Sequence, residues 1–303
     1  MKEVGPEQYR ALHLVDTDGG ASGRRGVNPS SPIAALLASL VVSAHGGADR
    51  RPATVQMAAA TDQRDSGSNG SRGLATVDAL RIRWLRAIVH DDTVELGALL
   101  ADHPQMGLAD RVTENGKSAL MVAAMADDLP LAQALVQGGA VVGARMSTGF
   151  TAMMFTAFGE QLEVACWLHQ HGGLLDDVGS NGWTALTIAA ARGFEPMVDW
   201  LLANGADPDP VDIDGFTPLL RAVENGHPEV VSRLLRNQGI DIDHVDDSGN
   251  TALHHAILAQ HHDLLGALLA AGASTALANS AGYTAFGLVD DDPRLKDLLS
   301  RAI

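Results

Sequence analysis

Residues Asn181–Asp207 read N-G-W-T-A-L-T-I-A-A-A-R-G-F-E-P-M-V-D-W-L-L-A-N-G-A-D: a short helix, a turn, a longer helix and a glycine stop. In the first helix the inward positions, Ala185, Leu186, Ala189 and Ala190, are mostly small. In the second, Met197, Val198, Leu201 and Leu202 are large and fall three and four apart. Small faces let neighbouring helices approach closely, and large ones fill the space behind them. One such pair cannot bury its own apolar face, so the pattern predicts stacking on both sides and end units that differ from the middle.

Gly182 belongs to a series. Gly116, Gly149, Gly182, Gly215, Gly249 and Gly282 are separated by 33, 33, 33, 34 and 33 residues, each followed two residues later by Ser or Thr. A period near 33 with this punctuation points to a helical solenoid. Gly139, Gly172, Gly205, Gly239 and Gly272 each follow a second helix, where a left-handed stop favours glycine. Pro130, Pro196 and Pro228 fall where those helices begin, the place a helix tolerates proline.

These units resemble the ankyrin repeat family, whose pattern is roughly D-x-x-G-x-T-P-L-H-x-A-A-x-x-G-H-x-x-V-V-x-L-L-L-x-x-G-A-D. The resemblance covers residues 80 to 303 and implies an all-α helical solenoid of five full repeats, at 113–145, 146–178, 179–211, 212–245 and 246–278. Degenerate capping units at 79–112 and 279–303 flank them, giving a repeat domain over 79–303. In the first cap, Ala79–His90 and Thr93–Ala101 form the helix pair. Leu85, Ile88, Val89, Leu96, Leu99 and Leu100 face inward, and Arg81, Arg83 and Arg86 lie on the other side. Leu295, Leu298, Leu299 and Ile303 close the far end. The chain departs from the pattern in places: its Pro survives only as Pro218, its His only as His254, and its leading Asp only as Asp212 and Asp246.

The 303 residues are 46% hydrophobic and only 4% aromatic, as cores of Ala, Leu and Val require. The net charge of -16 lies after residue 44, because Lys2, Arg10, Arg24 and Arg25 balance Glu3, Glu7, Asp16 and Asp18. So acidic a body argues against binding a phosphate backbone. A single cysteine, Cys166, excludes an intramolecular disulfide and a Cys-based zinc site.

Residues 1–32 are rich in breakers and predict an unstructured, disordered N-terminal tail. Ile33–Ala44 is an apolar run preceded by Arg24 and Arg25 and ending in Val42-Ser43-Ala44. Cations, a short apolar stretch and a small-residue site describe a candidate signal peptide over 1–44, hence export to a bacterial periplasm or secretion. The run is too short to span a bilayer, which needs about 20 residues. The alternative is an Ala-rich helix of no consequence on a cytoplasmic protein. Residues 45–78 read as a flexible linker.

The sequence carries no pattern that predicts a catalytic residue, a cofactor site or a metal site. His254, His255, His261 and His262 are dense, but the two pairs fall on different helices, and the family places structural His at two of them. The run Asp207, Asp209, Asp212, Asp214, Gly215 fails as a calcium loop, because Pro210 and Arg221 occupy its first and last ligand positions. Asp290, Asp291 and Asp292 read as a solvated turn. No phosphate loop or nucleophile constellation stands out.

What the array offers is a surface for another protein. The residue after each landmark glycine is Lys117, Phe150, Trp183, Phe216, Asn250 and Tyr283, a position the resemblance places on the concave binding side. Phe158, Arg192, Asn225 and Leu258, near the ends of first helices, line the same face. The candidate partner-binding set is therefore Phe150, Phe158, Trp183, Arg192, Phe216, Asn225, Leu258 and Tyr283, since aromatic and Arg anchors are what interfaces use as hot spots. The competing reading lays the rings flat on the next hairpin. The function implied is a non-enzymatic interaction scaffold; the alternative is a cytoplasmic regulatory or inhibitory subunit of an enzyme.

Overall fold

A computed structural model describes residues 69–289 and 293–300, with side chains from Val77 onward. The segment expected to be unstructured, the candidate signal peptide, most of the linker, the expected solvated turn at Asp290–Asp292, and Ile303 lie outside the described residues.

Helices come in pairs. The first pair is α1 (Asn69–Val89) and α2 (Thr93–Asp102). Then follow α3 (Ala119–Met125) and α4 (Leu129–Gln137), α5 (Ala152–Gly159) and α6 (Leu162–Gln170), and α7 (Ala185–Arg192) and α8 (Glu195–Ala203). The stack continues with α9 (Pro218–Glu224) and α10 (Pro228–Leu234), α11 (Ala252–Leu258) and α12 (His262–Ala270), and ends with α13 (Ala285–Leu288) and α14 (Pro293–Ser300). Odd-numbered helices from α3 to α13 pack on one another as one layer, and even-numbered helices from α2 to α14 as a second. One continuous core runs between the layers. Ala189, Ala190, Met197, Val198 and Leu201 are all fully buried in it, the division of small and large residues expected from the sequence.

Between pairs, a hairpin finger projects with the same register each time. The first residue's amide donates to the carbonyl of the fifth: Gly179 to Trp183 at 2.9 Å, Asp212 to Phe216 at 2.9 Å, Asp246 to Asn250 at 3.1 Å. Fingers are also laced to one another, Ser180 N–H to Thr148 O, Ile213 N–H to Asn181 O, Asp247 N–H to Asp214 O and Ser280 N–H to Ser248 O. The landmark glycines are what this lacing demands. Gly182 sits at φ +81°, and a Cβ there would lie 2.6 Å from the Asp212 Cα of the next finger.

Two boundaries differ from the sequence reading. α1 begins at Asn69, so the last ten positions of the predicted flexible linker are helical. Gly70 and Gly73 cost helix propensity but do not forbid it, and once Trp84 and Ile88 are anchored in the core the helix propagates backward without a second nucleation. Gly239 is not at positive φ, unlike Gly139, Gly172, Gly205 and Gly272. α10 stops at Leu234, and the extra residue of the 34-residue unit is taken up in the turn that follows, where Gly239 N–H donates to Asn237 Oδ1. The arginines of the first cap are exposed as expected, Arg83 reaching Glu95 at 2.6 Å. At the far end Leu299 is buried and Leu295 and Leu298 pack against the core. Among the described residues no helix is long and apolar enough to cross a membrane.

Candidate protein-binding surface

The structure divides the eight predicted contact residues. Phe150, Phe158, Trp183 and Phe216 are buried, between 1% and 8% exposed. Phe150 packs on Phe158 with centroids 5.9 Å apart and on Phe155 at 6.4 Å. Trp183 and Phe216 both lie against the Arg221 guanidinium, at 5.4 and 4.0 Å, and Phe216 also meets the His255 ring at 4.9 Å. Trp183, and Phe216 in its contact with His255, thus lie against the inner helix of the following unit. A large ring gains more from burial than from standing in water, and Trp183 and Phe216 gain further from the cation above their faces, so these four are stack-building residues and offer a partner little surface. Arg192, Asn225, Leu258 and Tyr283 keep partial exposure. Arg192 covers Phe194 at 5.2 Å, and Asn225 donates back to the carbonyl of Arg221.

Arg221 is the polar centre of this layer. Its Nε and Nη2 donate to Asp212 Oδ2 at 2.8 and 2.6 Å, Nη2 to Asp214 at 2.9 Å, and Nη1 to Glu224 at 3.1 Å. Burial alone would lower its pKa; Asp212 and Glu224 outweigh that and hold it above the ordinary value. One unit on, His255 Nε2 pairs with Asp246 Oδ2 at 2.9 Å. Burial pushes Asp246 up, but the hydrogen bonds from His255, Asn250 and Ser248 prevail and hold it below its usual range. His254 accepts from Thr251 N–H at Nδ1 and donates from Nε2 to Tyr283 O at 2.9 Å, a neutral ring whose pKa burial lowers. Its role is structural. Among the described residues no group of three or more His, Cys, Asp or Glu is placed to hold a metal. Cys166 is half-buried.

What does face outward is a row the sequence reading did not single out. Four residues before their landmark glycines, Val112, Val178, Val211 and Val245 are 43%, 46%, 50% and 45% exposed, and Ile213 beside Val211 is 66% exposed. At the remaining two fingers the position is Arg145, which reaches over to Asp177 at 2.5 Å and to the Val178 carbonyl, and Ala278. The signal was present as a period-33 column of β-branched residues belonging to neither helix. The three fingers at 173–183, 205–216 and 239–250 also carry ten aspartates and no Lys or Arg.

A two-layer stack of helix pairs with laced hairpin fingers is a helical repeat solenoid whose accessible feature is an extended face. The family model described as "Ankyrin repeats (3 copies)" matches residues 120–212, 159–246 and 196–279, and the chain belongs to the ankyrin repeat family. Ankyrin repeats generally mediate protein–protein interaction, and proteins built from them are typically non-enzymatic scaffolds. Among solved structures it is similar to the ankyrin repeat domain of Bcl-3, described as a unique member of the IkappaB protein family. Identity is 28% and the TM-score 0.61, covering 73% of this chain and 97% of that one. No curated protein matches.

Proposed function

We propose that this chain is a binding module that holds a protein partner along its finger face, and that it does so after export from a bacterial cytoplasm. The observation that carries the first part is the exposed row Val178, Val211, Ile213 and Val245 on three consecutive laced fingers. Apolar residues held outward in register on rigid hairpins are an interface waiting to be covered. Affinity capture with the full chain and with a Val178→Asp, Val211→Asp, Val245→Asp variant tests it. A partner retained by the first and lost by the second, at unchanged melting temperature, supports the face; equal capture rejects it.

Export rests on the order of Arg24-Arg25, the apolar run Ile33–Ala44 and the small-residue end Val42-Ser43-Ala44. Protein recovered from a secretory compartment should begin at His45. An intact leader on all cellular protein favours the second reading, a cytoplasmic regulatory or inhibitory subunit that uses the same face.

A further inference from the structure

We propose that the segment bound along this face is a basic, extended stretch of polypeptide, with an apolar residue at every third position and Lys or Arg between. This rests on the reading of the finger face as the binding surface, and it specifies the chemistry of what binds.

The charge of the face selects the partner's sign. Of its ten aspartates, Asp177 is paired with Arg145, Asp212 and Asp214 with Arg221, and Asp246 with His255. Asp176, Asp209 and Asp243 instead accept backbone amides of the next finger, from Asp207 N–H at 2.9 Å, Asp241 N–H at 2.6 Å and Ser274 N–H at 2.8 Å. Asp207 and Asp241 accept the amides of Asp209 and Asp243. Neutral amides fix these carboxylates in place and leave their charge on the surface. At Asp209 burial raises the pKa and outweighs the Asp241 amide and His244, which lower it; Asp241 and Asp207 add smaller repulsions, and its Oδ1 has no hydrogen-bond partner. An arriving ammonium or guanidinium relieves that repulsion. Nucleic acid, an anionic bilayer and a second copy of this same face are all repelled by it.

The pitch of the face selects the partner's conformation. Each finger is laced to the next by a backbone hydrogen bond over packed helices, so Val178, Val211 and Val245 recur at about 8–10 Å, the spacing of packed helices. A polyproline-type chain rises about 3.1 Å per residue with three residues per turn, or roughly 9.3 Å per turn. One residue in three then meets each valine, and the two between project toward the carboxylates. A β-strand repeats its side chains every ~6.7 Å and falls out of register after one finger. An α-helix advances about 10.5 Å in seven residues, so it meets each valine with only one residue in seven and turns most of the residues between away from the carboxylates.

The test uses the full chain and synthetic fluorescent peptides of about twelve residues. A repeating Arg-Pro-Val peptide is compared with the same residues rearranged so that the valines adjoin, with repeating Glu-Pro-Val, and with a basic helical peptide carrying Val at every seventh position. Expected results are binding of the first peptide, weakened as salt rises from about 50 to 500 mM, and at least about tenfold preference over the other three. Val211→Ser and, separately, the triple change Asp209→Asn, Asp241→Asn, Asp243→Asn should each weaken it by about tenfold or more, with melting followed for every variant. Equal binding of the rearranged peptide, better binding of the helical or acidic one, or no loss in Val211→Ser overturns the proposal. If the spaced basic peptide fails while the captured partner is still lost in the triple-valine variant, the face stands and a basic segment with three-residue spacing is the wrong occupant for it.

Discussion

Arg221 and Asp212 lie nine residues apart, one on an inner helix and one at the base of the finger before it, and two hydrogen bonds at 2.8 and 2.6 Å join them with both side chains 2% exposed or less. His255 and Asp246 repeat the relationship at the same separation one unit on. In each case the carboxylate's other oxygen accepts two amides of its own finger, so the pair pins finger to helix.

Breaking that pin on one side should be costly. Arg221→Ala strands Asp212 in a dry site and should destabilise by about 3–5 kcal/mol. Asp212→Asn combined with Arg221→Met keeps an acceptor for the finger amides and removes both charges, and should recover most of the loss. Urea unfolding of the single and double variants decides this, and a double variant no better than Arg221→Ala refutes the charge argument.

His254 gives the fold a pH dependence of definite sign. Its folded pKa is depressed by burial, so between that value and the ordinary one of about 6.5 the unfolded chain binds the extra proton. Its contribution is therefore fully present above about pH 6.5 and declines as pH falls through that value toward the folded pKa. Asp246, also depressed, contributes above the ordinary carboxylate pKa, near 4, and loses its contribution only as pH falls further, through its folded pKa. Melting temperature should thus begin to drop below about pH 6.5, and His254→Gln should flatten that first decline while lowering stability at pH 8. An unchanged slope in the variant would assign the decline elsewhere.

A buried hydroxyl marks where a repeat can be improved. Thr251 Oγ1 meets His254 Nδ1 at 2.8 Å, but the equivalent Thr151 Oγ1 is buried without a partner because Met154 stands where the histidine would be. A ring at position 154 also finds the carbonyl of Trp183 in the place that Tyr283 O takes for His254, 29 residues on. Met154→His should stabilise by about 1 kcal/mol, read from the urea midpoint. The gain should vanish when Thr151→Val is added.

The repeat phase was legible because Gly182 and its equivalents answer a local demand, a left-handed residue with no room for Cβ, which recurs at fixed period. The helix pairs followed from the contrast of Ala189 with Leu201. The fate of Trp183 was not legible, because it depends on Arg221, 38 residues away in the next unit, and nothing local to Trp183 announces that cation. The same holds for Asp199, a plausible free surface acid until Arg233 of the next unit is found against it. Lys117, an odd member of the aromatic column, is explained by Asp91 of the cap at 2.5 Å. Val211 differs: its column, Val112, Val178, Val211 and Val245, is visible in the sequence at the repeat period, but only the outward attitude of these side chains on rigid fingers gives the column meaning.

That contrast separates the two surfaces in one experiment. Trp183 is buried beneath the Arg221 guanidinium, so Trp183→Ala should cost about 3–5 kcal/mol of stability. Capture of a partner at temperatures where the variant stays folded should then change little. Val211→Asp changes a half-exposed side chain outside the hydrophobic core and should leave melting within about 0.5 kcal/mol of the parent. It removes the apolar contact at the centre of the valine row and puts a hydrated carboxylate in its place, so capture should fall about tenfold or more, equivalent to about 1.4 kcal/mol. Unfolding and capture are measured on the same preparations, with Leu201→Ala as the reference for a pure core loss of about 2–5 kcal/mol. If Trp183→Ala melts like the parent but no longer captures, the ring is a contact residue after all. The binding face would then run along the inner helices, not the fingers.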